Sequence, residues 1–114
     1  MRRISTHVLD TAQGAPARNV PVRLERQESS GDWRLVGSAR TDQDGRCGQL
    51  LPDGEAAAGG IYRMTFDAAS YYAAQKIEGL YPLVQITFAA KQGEEHFHIP
   101  LLLSPYGYTT YRGS

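Results

Sequence analysis

Apolar and polar residues alternate along most of this chain, and this period of two predicts short β-strands rather than helices. Clusters of Gly, Pro, Asp, Asn and Ser separate many of the alternating segments and favour turns between them. The predicted strands are residues 3–10, 20–27, 33–39, 47–51, 61–66, 83–89, 95–103 and 107–112.

One segment departs from the alternation and favours a helix. Residues 68–76 are rich in Ala and contain no Gly or Pro, and Asp67 is suited to cap the N-terminus. Residues 55–60 are expected to form a mobile loop. Eight short strands, one helix and no glycine-rich nucleotide-binding loop predict an all-β sandwich. We expect residues 1–114 to form a single domain, because no linker or internal repeat interrupts the chain.

Charge and composition argue against several kinds of partner. Twelve Lys and Arg balance twelve Asp and Glu, so neither nucleic acid nor an anionic membrane is expected as the main partner. No apolar run approaches the ~20 residues that span a bilayer. The single cysteine, Cys47, has no internal disulfide partner, and the N-terminal residues lack the apolar segment of a secretory signal. We therefore expect a cytoplasmic location.

All three histidines lie on predicted strands. Alternation places His96 and His98 on one face of their strand, opposite Phe97 and Ile99, which belong to the core side. His7 is likewise predicted on the outer face of the first strand. The histidines are then available to solvent, to a partner subunit or to a ligand. Simple solvation stays open as the explanation for His96.

The last fifteen residues carry an unusual pattern for a chain end. An apolar run and a Pro-Tyr-Gly turn lead into a strand rich in Tyr and Thr, which ends in Tyr-Arg-Gly-Ser. Most chain ends are polar and fray, so we expect this one to dock against the fold. Together with Ile-Ser-Thr-His-Val-Leu-Asp-Thr at residues 4–11, the tail closely resembles the 5-hydroxyisourate hydrolases, the transthyretin-related enzymes of urate breakdown.

The resemblance extends over essentially the whole chain and is most specific in residues 4–11 and 96–114. It implies the transthyretin fold, a sandwich of two four-stranded sheets with one short helix. It also implies a homotetramer whose active sites lie in a channel where two dimers meet. The implied reaction is hydrolysis of 5-hydroxyisourate to 2-oxo-4-hydroxy-4-carboxy-5-ureidoimidazoline, with no cofactor.

The same resemblance implies five site residues: His7, Arg46, His98, Tyr111 and Ser114. The two histidines would orient and deprotonate the attacking water. Arg46 would clamp the acidic, carbonyl-rich substrate and offset charge that develops on its oxygen. Tyr111 and Ser114 would position the substrate through hydrogen bonds.

The C-terminal pair presents a geometric difficulty. Strict alternation places Tyr111 and Ser114 on opposite faces of the last strand. Gly113 is expected to relieve the conflict by letting the last residues bend away from the strand.

Several alternatives remain beside this reading. A His-x-His pair with a third histidine suits zinc, but the sequence indicates no group to hold each ring, so we expect no metal.

A transthyretin-like small-molecule carrier would use the same channel, and the fold alone does not decide between the carrier and the enzyme. The predicted site residues are polar and titratable, which favours the enzyme. A third reading is a β-sandwich interaction module whose histidines do no chemistry. Cys47 is expected to be an inert thiol.

Overall fold

A computed structural model of the chain describes residues 3–52 and 59–114, and strands dominate both ranges. Of the loop expected over residues 55–60, only Gly59 and Gly60 are described. No helix in the described ranges is long and apolar enough to cross a bilayer. In chain order the elements are β1 Arg3–Asp10, β2 Ala15–Pro16, β3 Pro21–Gln27, β4 Trp33–Arg40, β5 Arg46–Cys47, β6 Gly60–Phe66, α1 Ala68–Ala73, β7 Val84–Ala90, β8 His96–Ser104 and β9 Gly107–Thr110.

The strands form two sheets, and this arrangement confirms the predicted all-β sandwich. One sheet has the order β2-β1-β8-β9, with β5 also paired to β1, and the other has the order β4-β3-β6-β7. The first sheet therefore has a fifth strand beyond the expected four. This is possible because β2 and β5 are two residues long and pair with different parts of β1. β1 and β8 are parallel over eight residue pairs, from Arg3–His96 to Asp10–Leu103.

The hydrophobic core uses the inward faces of strands from both sheets. Phe97 and Ile99 of β8 are buried, whereas the histidines on either side of Phe97 are exposed or half-buried, as alternation predicts. Full burial of a Val, Leu, Ile, Phe or Met side chain stabilises a fold by about 1.5–3 kcal/mol. The largest fully buried apolar side chains are Tyr62, Phe66, Ile4, Leu24, Met64, Leu101 and Leu103.

Helix α1 begins as predicted but ends earlier. Asp67 caps its N-terminus by accepting a hydrogen bond from the backbone N–H of Ser70 at 3.0 Å. The helix ends at Ala73, three residues before the predicted end, and Lys76 has a φ of +58°. A residue in this left-handed conformation is a common helix terminator, usually glycine. Because a lysine fills the position here, the composition of the segment did not indicate the end.

The strand predicted over residues 47–51 is wrong beyond Cys47. After Cys47 the chain crosses from the first sheet toward the second. The backbone N–H of Leu50 donates to the carbonyl oxygen of Ile4 at 2.8 Å. The carbonyl oxygen of Leu50 lies against Gly37 of β4, where any Cβ would collide with it. Gly37 therefore leaves room for this crossing segment, although the alternation of apolar and polar residues predicts a strand here.

A buried carboxylate joins the end of β1 to α1. Asp10 is 1% exposed. Its Oδ1 accepts hydrogen bonds from the backbone N–H groups of Ala12 and Gln13 at 3.1 and 3.0 Å. Its Oδ2 accepts from Gln13 Nε2 at 2.9 Å and from the Tyr71 hydroxyl at 2.7 Å. Burial, together with this bond, raises the pKa of Tyr71 to about 12. The network fixes both the turn after β1 and the position of the helix.

Tyr71→Phe is expected to lower the free energy of unfolding by about 1.5–3 kcal/mol, because it removes a hydrogen bond to a buried charged group. Tyr72→Phe is the matched control on the same helix. The buried Tyr72 hydroxyl has no hydrogen-bond partner among the described residues, so its removal should leave the free energy of unfolding unchanged or higher, because an unpaired buried hydroxyl is itself destabilising. Denaturant unfolding measures both variants. Equal losses would contradict the role assigned to Asp10.

Candidate active site

The outer face of the first sheet contains a cavity of about 220 Å³. Strands β1, β5 and β8 and the last residue of the chain contribute its polar wall. The register of the parallel β1–β8 pair sets Arg3 beside His96 and Ser5 beside His98. The polar side chains of the wall are Arg3, Ser5, Thr6, Arg46, His96, His98 and Ser114.

Three of the five predicted site residues lie together in this cavity, namely Arg46, His98 and Ser114. His7 is not part of the lining, although its backbone pairs directly with that of Arg46 across β1 and β5. Tyr111 is also outside the lining. It lies one residue beyond β9, and 56% of it is exposed. Within one chain, the structure therefore assembles part of the predicted set.

His98 is half-buried, and its ring has contacts with both β1 and the tail. Its Nδ1 lies 2.8 Å from the Oγ of Ser5. Its backbone carbonyl accepts a hydrogen bond from the N–H of Gly113 at 2.8 Å. Burial lowers the pKa of His98, and the nearby charges of Arg46 and the other two histidines lower it further. His98 is therefore neutral at pH 7, which is the form a general base requires.

A tight turn presents Arg46 to the cavity. The Oδ1 of Asp42 accepts hydrogen bonds from the backbone N–H groups of Asp44 and Arg46, both at 2.9 Å. The bond from Arg46 is the main reason that the pKa of Asp42 is lowered. Gly45 completes the turn with a φ of +77°, a conformation that favours glycine. The guanidinium of Arg46 has no hydrogen bond or ion pair with any described residue, which leaves its donors available to a ligand.

His7 is tied to the same turn. Its Nε2 lies 2.8 Å from the backbone carbonyl oxygen of Asp44. A carbonyl oxygen only accepts, so Nε2 carries the proton and Nδ1 is the nitrogen that is able to accept one. His7 and Arg46 are thus oriented by one turn, between residues 42 and 46.

Arg3 and Ser5 were not among the predicted site residues. Alternation from His7 places both on the outer face of β1, but their proximity to the two histidines of β8 depends on a pairing between distant strands. The lining also includes His96, whose ring centroid is 6.5 Å from that of His98. With two arginines, two histidines and no Asp or Glu among the described residues of its lining, the cavity favours an anionic ligand.

The C-terminal segment is docked, as the sequence indicates. Arg112 donates from Nη1 to Glu94 Oε2 at 2.9 Å and from Nη2 to the carbonyl oxygen of His96 at 3.3 Å. Its guanidinium also lies 4.8 Å from the ring centroid of Phe97. An isolated bridge between His98 and Gly113 continues the register of the β8–β9 pair. These contacts bring Ser114 to the cavity.

Cys47 lines the cavity but is not an activated thiol. It is 5% exposed. Burial raises its pKa to about 11, with a smaller contribution from the charge of Asp42. The side chain is thus a neutral thiol at pH 7 and a poor nucleophile. Within residues 3–52 and 59–114, no three His, Cys, Asp or Glu side chains are grouped so as to hold a metal ion.

Comparisons with known proteins agree with this fold. The sequence profile of the HIUase/Transthyretin family matches residues 4–113. The 5-hydroxyisourate hydrolase of Salmonella typhimurium is 43% identical over 111 residues, which cover 97% of this chain and 80% of that protein. The structure of Klebsiella pneumoniae 5-hydroxyisourate hydrolase matches with a TM-score of 0.85 and 33% identity, covering all of both chains. Sea bream transthyretin in complex with thyroxine matches with a TM-score of 0.90 and 28% identity, over 97% of this chain and 94% of that chain.

Arg46→Met is expected to raise the pKa of His98, because it removes a positive charge that disfavours the imidazolium. Burial remains the larger cause, so the pKa of His98 should stay below that of an exposed histidine. An NMR titration of the histidine rings measures the shift. The control is Arg34→Met, since Arg34 pairs with Glu28 on the other sheet. An unchanged pKa of His98 in Arg46→Met would contradict the electrostatic account.

Proposed function

Because the chain belongs to the HIUase/Transthyretin family, we propose that it is a 5-hydroxyisourate hydrolase of uric acid degradation. The observation that carries this proposal is the cavity in which Arg46, His98 and Ser114 meet. These residues are far apart in the sequence and supply an anion-binding group, a base and a hydroxyl. The 43% sequence identity to a 5-hydroxyisourate hydrolase, over 97% of this chain, supports the same activity.

Arg46 binds the substrate. 5-Hydroxyisourate is a planar, acidic heterocycle rich in carbonyl groups, and a guanidinium pairs with adjacent oxygens, or with a deprotonated nitrogen, through two parallel hydrogen bonds. The guanidinium of Arg46 forms no ion pair with a described carboxylate that would compete with the substrate. Arg3 adds a second positive charge to the same wall. Recognition of the substrate therefore depends on its negative charge and on its planar shape.

Opening of the substrate ring requires three things: an activated water, a polarised carbonyl and a proton for the leaving nitrogen. His98 takes the proton from water and returns it to the nitrogen when the C–N bond breaks. Such a positioned base typically contributes ~10²–10⁴-fold in rate. Arg46 offsets the negative charge that develops on the carbonyl oxygen. No covalent intermediate is needed, in keeping with the protonated state of Cys47.

His7, Tyr111 and Ser114 complete the proposed site. His7 accepts a proton or orients water through Nδ1, because its Nε2–H is already bonded to Asp44. Ser114 lies in the wall of the cavity and donates a positioning hydrogen bond to the substrate. Tyr111 is highly exposed, and it contributes its hydroxyl from the side of the site that faces a neighbouring subunit.

The active form in this proposal is a cytoplasmic homotetramer, with its sites at the dimer–dimer interface. An apolar patch supports association with other subunits. Leu80, Tyr106 and Tyr108 are 60%, 70% and 41% exposed. Tyr108 also packs edge-on against Tyr81, with ring centroids 5.2 Å apart. A monomer that exposed this many large apolar side chains in one region would be prone to association.

A small-molecule carrier is the second candidate, and the similarity to sea bream transthyretin favours it. The cavity argues against it, because an apolar ligand suits aliphatic walls. The wall here carries two guanidinium groups and two imidazoles.

The wild-type protein is expected to accelerate the decay of 5-hydroxyisourate, generated in the cuvette from urate by urate oxidase, in proportion to its concentration. Arg46→Ala should lower kcat/KM by about 100-fold or more, since it removes both the anion clamp and the oxyanion contact. Arg34→Ala, on the opposite sheet, should retain full activity. A folded wild-type protein that leaves the uncatalysed rate unchanged would refute the assignment.

In the same assay, His98→Asn and His7→Asn test the roles of the two histidines. Loss of the base should lower kcat of His98→Asn by ~10²–10⁴-fold. Loss of water orientation should also lower kcat of His7→Asn. Full kcat in His98→Asn combined with abolished activity in His7→Asn would contradict the two-histidine scheme.

Light scattering is expected to give the molar mass of four chains for the wild type. Tyr106→Glu, which adds a charge to the apolar patch, should shift the protein toward smaller species without loss of β-structure in circular dichroism. A wild-type monomer with full hydrolase activity would exclude a tetramer as the active form.

A further inference from the structure

We propose that Ser5 and Gly113 are positioning residues for His98. In this arrangement Ser5 Oγ accepts a hydrogen bond from Nδ1–H of the neutral ring, and Gly113 closes the space along the opposite ring edge. The Nε2 lone pair then faces the cavity, ready to accept a proton from water. The inference rests on the proposed function only in that His98 is the base.

The contact between Ser5 and His98 is short and largely shielded from water. Ser5 is 6% exposed, and its Oγ lies 2.8 Å from His98 Nδ1. The two residues are direct partners in the parallel β1–β8 register, so backbone hydrogen bonds as well as the side chains fix their separation. Nε2 of His98 has no hydrogen-bond partner among the described residues. It is therefore the ring nitrogen left for a ligand or water.

The direction of the hydrogen bond follows from the chemistry of the cavity wall. Arg3 and Arg46 contribute guanidinium groups, which donate hydrogen bonds and never accept them. A lone pair on Nε2 of His98 suits these donors, whereas an N–H there would find no Asp or Glu side chain among the described lining residues to accept it. With Nε2 unprotonated, the proton of the neutral ring lies on Nδ1, where Ser5 Oγ accepts it. The bond that one ring nitrogen makes thus selects the state of the other.

Gly113 restricts the ring from its carbon edge. A Cβ on Gly113 would lie 2.5 Å from Cδ2 and 3.2 Å from Cγ of His98, and 3.2 Å from Cγ of Pro100. Only glycine fits without displacing the imidazole. The N–H of Gly113 also donates to the carbonyl oxygen of His98, so the tail cannot move away without breaking this bond. The need for glycine is steric, since the ring occupies the space of a side chain.

The contacts of His98 with Ser5 and Gly113 together hold its imidazole in a single orientation. A half-turn of the imidazole about χ2 would exchange Nδ1 with Cδ2 and break the hydrogen bond to Ser5. A tilt away from Ser5 is limited by Gly113. A base whose orientation is fixed before the substrate binds loses little freedom in the transition state. Ser5 and Gly113 are 108 positions apart in the sequence, and both hold the imidazole of His98 in one orientation.

The direct test is the tautomer of His98, read from ring ¹⁵N chemical shifts of the wild-type protein without substrate. The chain has three histidines, and His98→Asn assigns the signal. We expect a protonated Nδ1 and an unprotonated Nε2 for His98 in the neutral wild type. Ser5→Ala should shift the population toward the Nε2–H form. A wild-type His98 with its proton mainly on Nε2 would overturn the proposal, whatever the activity.

Kinetics test whether this orientation matters for the reaction. Ser5→Ala and Gly113→Ala should each lower kcat by about 10- to 100-fold, with KM changed by less than about threefold, because the clamp at Arg46 is intact. Ser5→Thr keeps the hydroxyl and should recover most of kcat. Ser38→Ala, at an exposed position in β4, is the control and should be unaffected.

The outcomes separate this inference from the proposed function. Wild-type kcat in Ser5→Ala would overturn the positioning role while leaving the hydrolase assignment in place. A wild type without hydrolase activity would refute the proposed function, and the tautomer of His98 would still be measurable. A purely structural role for Ser5 predicts a lower melting temperature with unchanged kcat and an unchanged tautomer, and would also count against the proposal.

Discussion

The parallel pairing of β1 with β8 is the constraint on which the rest of the site depends. It sets eight residues of the first strand against eight near the end of the chain, and so brings Ser5 to His98 across 93 positions. Burial of Ile4 on one strand and of Phe97 on the other fixes the register. A slip of one residue would turn a histidine toward the core and Phe97 toward water. The same apolar contacts that stabilise the sandwich therefore define the geometry of the cavity.

Two local structures attach the remaining groups to this pair of strands. The turn stabilised by Asp42 presents Arg46 on the far side of β1 from β8. The tail docks through Arg112 and delivers its last residue to the cavity. The electrostatic result is a neutral imidazole beside permanent positive charge. Burial and the charge of Arg46 both lower the pKa of His98 and favour its neutral form, while that charge also favours an anionic ligand. In the proposed function, one arrangement thus provides both a base and a substrate clamp.

Local patterns in the sequence were sufficient for most of the strands, for the side on which each histidine lies, and for the helix cap at Asp67. They failed at the end of the helix and for contacts between distant strands. Lys76 ends the helix in a left-handed conformation that composition usually indicates with glycine. The importance of Ser5 depends on a strand partner 93 positions away, and no period within a single strand carries that information. The five residues implied by the family resemblance included three that line the cavity. His7 lies next to it, and Tyr111 faces outward.

The central claim is that the substrate binds in the cavity between Arg46 and His98. A crystal structure with a stable, planar, urate-like anion that lacks the scissile bond tests this most directly. The account predicts ligand oxygens or a deprotonated nitrogen within hydrogen-bond distance of the Arg46 guanidinium, with the carbon corresponding to the reacting carbonyl facing Nε2 of His98. An anion bound elsewhere on the molecule, in crystals of a protein that hydrolyses 5-hydroxyisourate, would contradict it.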